Sequence, residues 1–172
     1  MCIRDRFIIL NKLCFRGVYR EGPNGFNVPY GHYKKTPSML NQHEFDIIGE
    51  LIQTVEFRHQ DFSEAMKQVV PCDFVYIDPP YAPETSTSFV GYTANGFDIS
   101  QHETLFKRIV ELVTAGVNVT MSNANVEMVQ ANFNADSFMT EDVVAKRAIH
   151  AKNPGTKTTE LIISNHPRYP CV

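Results

Sequence analysis

The stretch from Asp73 to Tyr81, D-F-V-Y-I-D-P-P-Y, decides how this chain folds. Phe74, Val75, Tyr76 and Ile77 are all β-formers and predict a short strand. Pro79 and Pro80 have no N–H to give a sheet ladder, so the strand must end at Asp78. An acid is left at the carboxyl end of an apolar strand, followed by a stiff turn and an exposed aromatic. In open α/β sheets that edge is where ligands bind. A simple strand end accounts for the prolines, but not for an acid and a ring projecting there together. The pair suits a planar group bearing an amine. A carboxylate accepts one N–H, the carbonyl of a proline-fixed backbone accepts another, and the ring stacks on the plane.

Working outward, the pattern alternates strands and helices. Upstream, Phe45, Ile48, Leu51 and Ile52 fall at helical spacing and predict an amphipathic helix over Asn41–Gln53. A short strand over Val55–Arg58, a turn at Gln60-Asp61-Phe62 and a helix over Ser63–Val70 lead into the central strand. Downstream, Ala82–Ile99 is a polar loop in which Phe89, Tyr92 and Phe97 are embedded. Ser100 and Glu103 form a capping box for a helix reaching about Ala115, where Gly116 ends it. A strand over Val117–Met121, then S-N-A-N, in which Ser122-Asn123 ends the strand at the same ligand edge, and a helix over Val126–Phe133 follow. Phe138–Ala145 and Thr159–Ser164 pair as a terminal hairpin across a basic loop. The sum is an α/β fold with a mostly parallel sheet.

The first 35 residues read differently. Met1–Arg6 (M-C-I-R-D-R) shows no helix cap and no strand alternation, and reads as an arbitrary beginning. Phe7, Ile8 and Leu10 then fit the last turns of a helix. Val18-Tyr19-Arg20 and Phe26-Asn27-Val28 flank E-G-P-N-G, which predicts a two-stranded ribbon. Lys12, Arg16, Arg20, Lys34 and Lys35 alternate with Phe15, Tyr19, Phe26, Tyr30 and Tyr33. Scattered cations alone would be a solvated face; interleaved with aromatics on a hairpin they fit a nucleic-acid reader.

Composition bounds the rest. One domain, or part of a larger one, is the prior for 172 residues, and a hydrophobic fraction of 43% supports a core. The net charge of -3 gives no whole-chain attraction for a polyanion, so any such site is a local basic surface. Cys2, Cys14, Cys72 and Cys171 lack metal-ligand spacing and read as free thiols of a reducing compartment. No apolar run is long enough to span a bilayer. Cytoplasm, or the nucleoid within it, is the default location.

D-P-P-Y after an apolar strand resembles the signature of adenine-N6 and cytosine-N4 DNA methyltransferases. The flanks narrow this. N-K-L-C-F-R-G-V-Y-R, F-N-V-P-Y-G-H-Y-K-K, F-V-G-Y-T-A-N-G-F and M-S-N resemble, in order, the Dam-type (D12 class) adenine methyltransferases, from about Phe7 to Asn165. The resemblance implies a partial Rossmann-like, S-adenosylmethionine-dependent methyltransferase sheet with an inserted DNA-recognition hairpin. Residues 1–40 would be the end of the recognition subdomain and 41–172 the C-terminal part of the catalytic domain.

By that resemblance Asp78 and Pro79 accept hydrogen bonds from the target amine within the Asp78-Pro79-Pro80-Tyr81 turn, and Tyr81 stacks on an adenine swung out of the duplex. Asp61 and Phe62 would meet the adenine of S-adenosylmethionine, with Asp78 also bordering that cofactor; the plain alternative is a turn with Phe62 in the core. Arg20 would read guanine in the major groove, Val18 and Pro29 would make apolar base contacts, and Phe15 would press into the duplex. Arg16 stands where the family usually has asparagine, and the turn is one residue shorter, so the target sequence is left open. Lys12, Lys34, Lys35 and Arg147 would meet phosphates. Tyr92 is either a second wall of the base pocket or part of a self-packed loop. Asn123 either orients pocket residues or caps the following helix, the cap being the simpler reading.

The family's glycine-rich F-x-G-x-G cofactor loop and its ribose-binding acid are not found in this sequence, so little or no transferase activity is expected of this chain alone. Double-stranded DNA is the expected partner, S-adenosylmethionine the methyl donor with no metal, and the complete protein a monomer. Two other readings stand beside this one: a non-catalytic DNA-binding module that kept its hairpin, and an amino-methyltransferase acting on RNA or protein glutamine. The latter enzymes typically carry N-P-P-Y at this place.

Overall fold

The computed structural model describes residues 2–39, 41–83, 97–134, 136–146 and 157–166. These fall into two compact units, one running to Arg58 and the other starting at His59.

In the first unit, α1 spans Ile3–Leu13. It begins earlier than the sequence suggests, because the Cys2 N–H donates to the Asp5 carboxylate at 3.3 Å and supplies the missing start signal. A 3₁₀ turn at Phe15–Gly17 follows, in which Arg16 takes φ +57 and Gly17 φ +67. Non-glycine residues pay for left-handed backbone, and asparagine pays least. The ribbon forms, but its ladder sits within the predicted turn: β1 (Glu21–Gly22) pairs antiparallel with β2 (Gly25–Phe26). Pro23 opens the tight turn and Gly25 closes it at φ +89. Further along, Phe15 N–H donates to Pro29 O at 2.9 Å and Gly31 N–H to Leu13 O at 2.8 Å, so the two arms of the ribbon stay paired past the 3₁₀ turn. Helix α2 (Gln42–Leu51) is capped by Asn41 and Glu44, which accept each other's backbone N–H at 3.0 and 2.8 Å. Val55–Arg58 is not a strand. No described segment offers it a ladder, and Glu56 and Arg58 pair as ions at 2.7 Å instead.

The second unit is built on a four-stranded sheet of order β3-β4-β6-β5, with β3 (Phe74–Ile77), β4 (Asn118–Ala124), β5 (Met139–Lys146) and β6 (Lys157–Ser164). Only β3 and β4 are parallel; β6 runs antiparallel to both β4 and β5. The sheet is therefore mixed rather than mostly parallel, because the closing hairpin inserts its second strand against β4. That insertion also lengthens β4. Ser122, Asn123 and Ala124 are poor strand formers, yet the ladder from Ile162, Leu161 and Glu160 holds them extended.

Helix α3 is only Phe62–Met66. Helix α4 (Ile99–Thr114) starts two residues earlier than expected, with Asp98 and Gln101 forming the reciprocal cap at 2.9 and 3.0 Å. At its other end Gly116, at φ +85, donates to Val113 O while Val117 donates to Leu112 O, a Schellman ending. Leu105, Phe106, Ile109 and Leu112 of α4 are buried against Val119 and Met121 of β4, Leu161 and Ile163 of β6, and Val129 of α5 (Glu127–Asn132). Each such side chain contributes about 1.5–3 kcal/mol. The edge strand β3 leaves Phe74 and Tyr76 exposed. Among the described residues no helix is long and apolar enough to cross a membrane.

Candidate functional site

Everything around Asp78 follows from the register of β3 and β4. Ile77 lies opposite Met121, so the next residues in the two parallel strands, Asp78 and Ser122, stand side by side at the carboxyl edge. The Ser122 hydroxyl donates to Asp78 Oδ1 at 2.8 Å and receives a long bond from the Tyr76 hydroxyl at 3.4 Å. Ser122 is buried and Asp78 exposed. One carboxylate oxygen is thus held, and the other has no partner among the described residues.

The turn after Asp78 is anchored from beneath. Asn123 is fully buried, and its Oδ1 accepts the Ala82 N–H at 2.9 Å and its neighbour Ala124's at 2.8 Å. It does not cap α5, whose N-cap residue is Val126. Instead it fixes the exit of the Pro79-Pro80-Tyr81 turn. The half-buried Tyr81 donates its hydroxyl to Glu160 Oε2 at 3.3 Å. Glu160 reaches this edge because it lies opposite Ala124 in the antiparallel register. Burial pushes the Tyr81 phenol above its ordinary value; a hydrogen bond with Ser122 opposes this, and the charges of Glu160 and Asp78 reinforce it. The phenol stays neutral at physiological pH, with its hydroxyl on Glu160.

Asp61 is the N-cap of α3, accepting the Ser63 N–H at 2.9 Å and the Ser63 hydroxyl, and these bonds hold its carboxyl below the usual range. Phe62 is half-buried and packs on Phe97 at 5.8 Å. Among the described residues no hydrogen bond or ring contact joins either of them to the Asp78–Tyr81 group. The Phe97 ring meets His102 edge-on at 4.7 Å, and His102 is fully buried with neither ring nitrogen hydrogen-bonded among the described residues.

In the first unit, Phe15 and Arg20 are exposed, Arg16 lies 5.0 Å over the Phe15 ring, and Val18 and Lys12 are half-buried. Pro29, Lys34 and Lys35 are exposed. Tyr92 and Arg147 lie outside the described residues, as does most of the loop Phe89–Phe97.

The sequence profile of the D12 class N6 adenine-specific DNA methyltransferases matches residues 3–149. The chain belongs to this family. Over 166 residues it is 36% identical to the type II methyltransferase M.MjaIII of Methanocaldococcus jannaschii, covering 94% of this chain and 56% of that protein. It is 32% identical over 166 residues to the type II methyltransferase M1.LlaDCHI of Lactococcus lactis subsp. cremoris, covering 94% and 57%. It is 30% identical over 165 residues to the DNA adenine methylase of Escherichia coli, covering 94% and 58%. The chain thus spans a little over half the length of the curated relatives it matches.

The sequence marks Asp78, Pro79, Pro80 and Tyr81, puts Ser122 and Asn123 at the same edge and offers Asn123 as an orienting residue or a cap; the structure adds their bonds to Asp78 and Ala82, and adds Glu160. The contact of Ser122 with Asp78 follows from the parallel pairing of β3 and β4, which sets the two side by side. Glu160 carried a weaker signal, a lone acid inside T-T-E-L-I-I-S, and only the β4–β6 register brings it to the edge.

Proposed function

We propose that the full-length protein carrying this chain transfers a methyl group from S-adenosylmethionine to N6 of an adenine swung out of duplex DNA. The observation that carries the reading is the Asp78–Ser122 hydrogen bond beside an anchored Pro79-Pro80-Tyr81 turn. An adenine amine is a poor nucleophile because its lone pair is delocalised into the ring. Asp78 Oδ2 accepts one N–H, the Pro79 carbonyl accepts the other, and the nitrogen is drawn toward a tetrahedral shape. Ser122 fixes the carboxylate, and Asn123 fixes the turn on which the carbonyl depends. Tyr81, kept neutral, stacks on the extruded base and offsets part of its unstacking cost of a few kcal/mol.

S-adenosylmethionine, when bound, supplies an electrophilic methyl on a sulfonium. Asp61 and Phe62 suit its adenine end: an exposed acceptor and a half-buried ring adjoin at the start of α3. Asp78 borders the same site. The cations and rings of residues 1–40 would read and hold the duplex, with Arg20, Val18 and Pro29 toward bases, Phe15 pressing into the duplex beside Arg16, and Lys12, Lys34 and Lys35 toward phosphates, where Arg147 of the later part of the chain would join them. Tyr92 would wall the base pocket. Residues 41–172 would carry the chemistry. This chain alone, with no F-x-G-x-G loop in its sequence, should show little transfer.

The test is labelled methyl transfer to adenine-containing duplexes by the full-length protein and its Asp78→Ala variant. Transfer should fall by roughly 10²–10³-fold, the usual loss on deleting one preorganised polar partner, while duplex binding is kept. If binding collapses with activity, Asp78 is not the acceptor for the target amine.

A further inference from the structure

On the hairpin, Arg20 is not a freely swinging cation. Its Nε–H donates to Asn27 Oδ1 at 2.8 Å, and its Nη2 donates to the Asn27 backbone carbonyl at 3.3 Å. The two residues sit directly beyond the β1–β2 pairs, where the Asn27 N–H also donates to Arg20 O at 3.1 Å. One amino acid therefore grips the side edge of the guanidinium and its backbone together. The adjacent acid does not compete for the charge, because the Glu21 carboxylate accepts the Tyr19 hydroxyl. Tyr19 in turn packs on Phe26 at 5.5 Å, which ties that arrangement to the opposite strand. No ion pair of Arg20 is found among the described residues.

A guanidinium has five N–H groups in a rigid plane. With the Nε and inner Nη2 hydrogens taken up by Asn27, the outer edge presents two parallel N–H groups, one each from Nη1 and Nη2. That spacing fits two adjacent acceptors, such as O6 and N7 of guanine in the major groove. A long flexible arginine pays rotamer entropy when it is fixed on binding, and a pre-gripped one has paid most of it in folding. We infer that Asn27 is a specificity-determining positioning residue that aims the outer edge of Arg20 at a guanine. This rests on the DNA reading above. It adds that base discrimination depends on a residue that itself touches no base.

The same outer edge could grip a phosphate, and the experiment separates the two. Binding of the full-length protein is measured by fluorescence anisotropy on a set of duplexes varied one base pair at a time, at several salt concentrations. Asn27→Ala should cut discrimination at one guanine position by roughly 10- to 100-fold and leave the salt dependence unchanged. Asn27→Asp, which keeps the acceptor for Nε, should retain the preference profile even where overall affinity drops. The Tyr19–Phe26 ring contact, followed by NMR, reports that the hairpin persists in both variants. An unchanged profile in Asn27→Ala overturns the inference. So does uniform weakening on all duplexes with a salt slope reduced by about 1, the mark of a phosphate contact. If the unsubstituted full-length protein binds no duplex at all, the DNA reading of the hairpin falls and takes this inference with it.

Discussion

Replacing Asn123 by alanine tests the argument that the D-P-P-Y turn is held from beneath. The residue is fully buried, and a single oxygen accepts two backbone N–H groups, those of Ala82 and Ala124. Ala82 is itself buried, so water cannot replace the lost partner without opening the turn. An orphaned buried donor costs about 1–3 kcal/mol. Ala82 carries that cost in full. Ala124 carries less, since its strand is paired with β6. The void left by the amide adds to the sum, for a total loss of about 2–4 kcal/mol. Urea titration of the chain should show the midpoint falling with little change in slope. Amide hydrogen exchange should localise the damage, with Ala82 losing far more protection than Val119 or Met121 in the same sheet. A loss below about 0.5 kcal/mol, or protection lost evenly across the sheet, would refute the reasoning and return Asn123 to an ordinary core position.

Two further outcomes follow from buried and strained positions. Burial holds the His102 imidazole below its ordinary value, with Asp98 pulling weakly the other way. A depressed folded value means the unfolded chain takes up the proton first. Stability should therefore be fully present above about pH 6.5 and fall below it, by up to about 1.4 kcal/mol per pH unit; denaturation midpoints of His102→Leu should not show that slope. In the first unit, a Cβ on Gly17 would lie 2.9 Å from the Asn11 carbonyl oxygen at a φ of +67. Gly17→Ala should cost that unit at least about 1–2 kcal/mol, read as earlier loss of amide protection at Phe15 and Gly31.

Local chemistry made much of this legible. The β3 strand, its stop at the prolines, the amphipathic α2 and α4, the Gly116 ending and the final hairpin pair were all readable from runs of β-formers, helical spacing or a glycine in the right place. What failed was whatever depended on a distant neighbour. Ser122-Asn123-Ala124 has the composition of a turn and becomes strand only because β6 lies beside it. Val55–Arg58 has the composition of a strand and lacks a partner to make it one. Between orienting the site and capping a helix, composition favours the cap for Asn123, since asparagine before a helix usually is one; its partner Ala82, just past the neighbouring strand β3, decides for the other. The acid and ring of the candidate site were visible for the same reason in reverse, since a proline pair punctuates them within four residues. Glu160 was not, because nothing local marks it.

The strand order also governs when the site can exist during synthesis. β6 leaves the ribosome after β5 yet belongs between β5 and β4. Until it arrives, β4 has an open edge, and Val119 and Met121 lack the neighbouring Leu161 and Ile163 that share their core cluster. A nascent chain stalled in the β5–β6 connection would hold Asp78 beside Ser122 but have no Glu160 for Tyr81, and an unpaired edge ready to join another chain. Completion of the sheet and completion of the Asp78–Glu160 edge are one translational event.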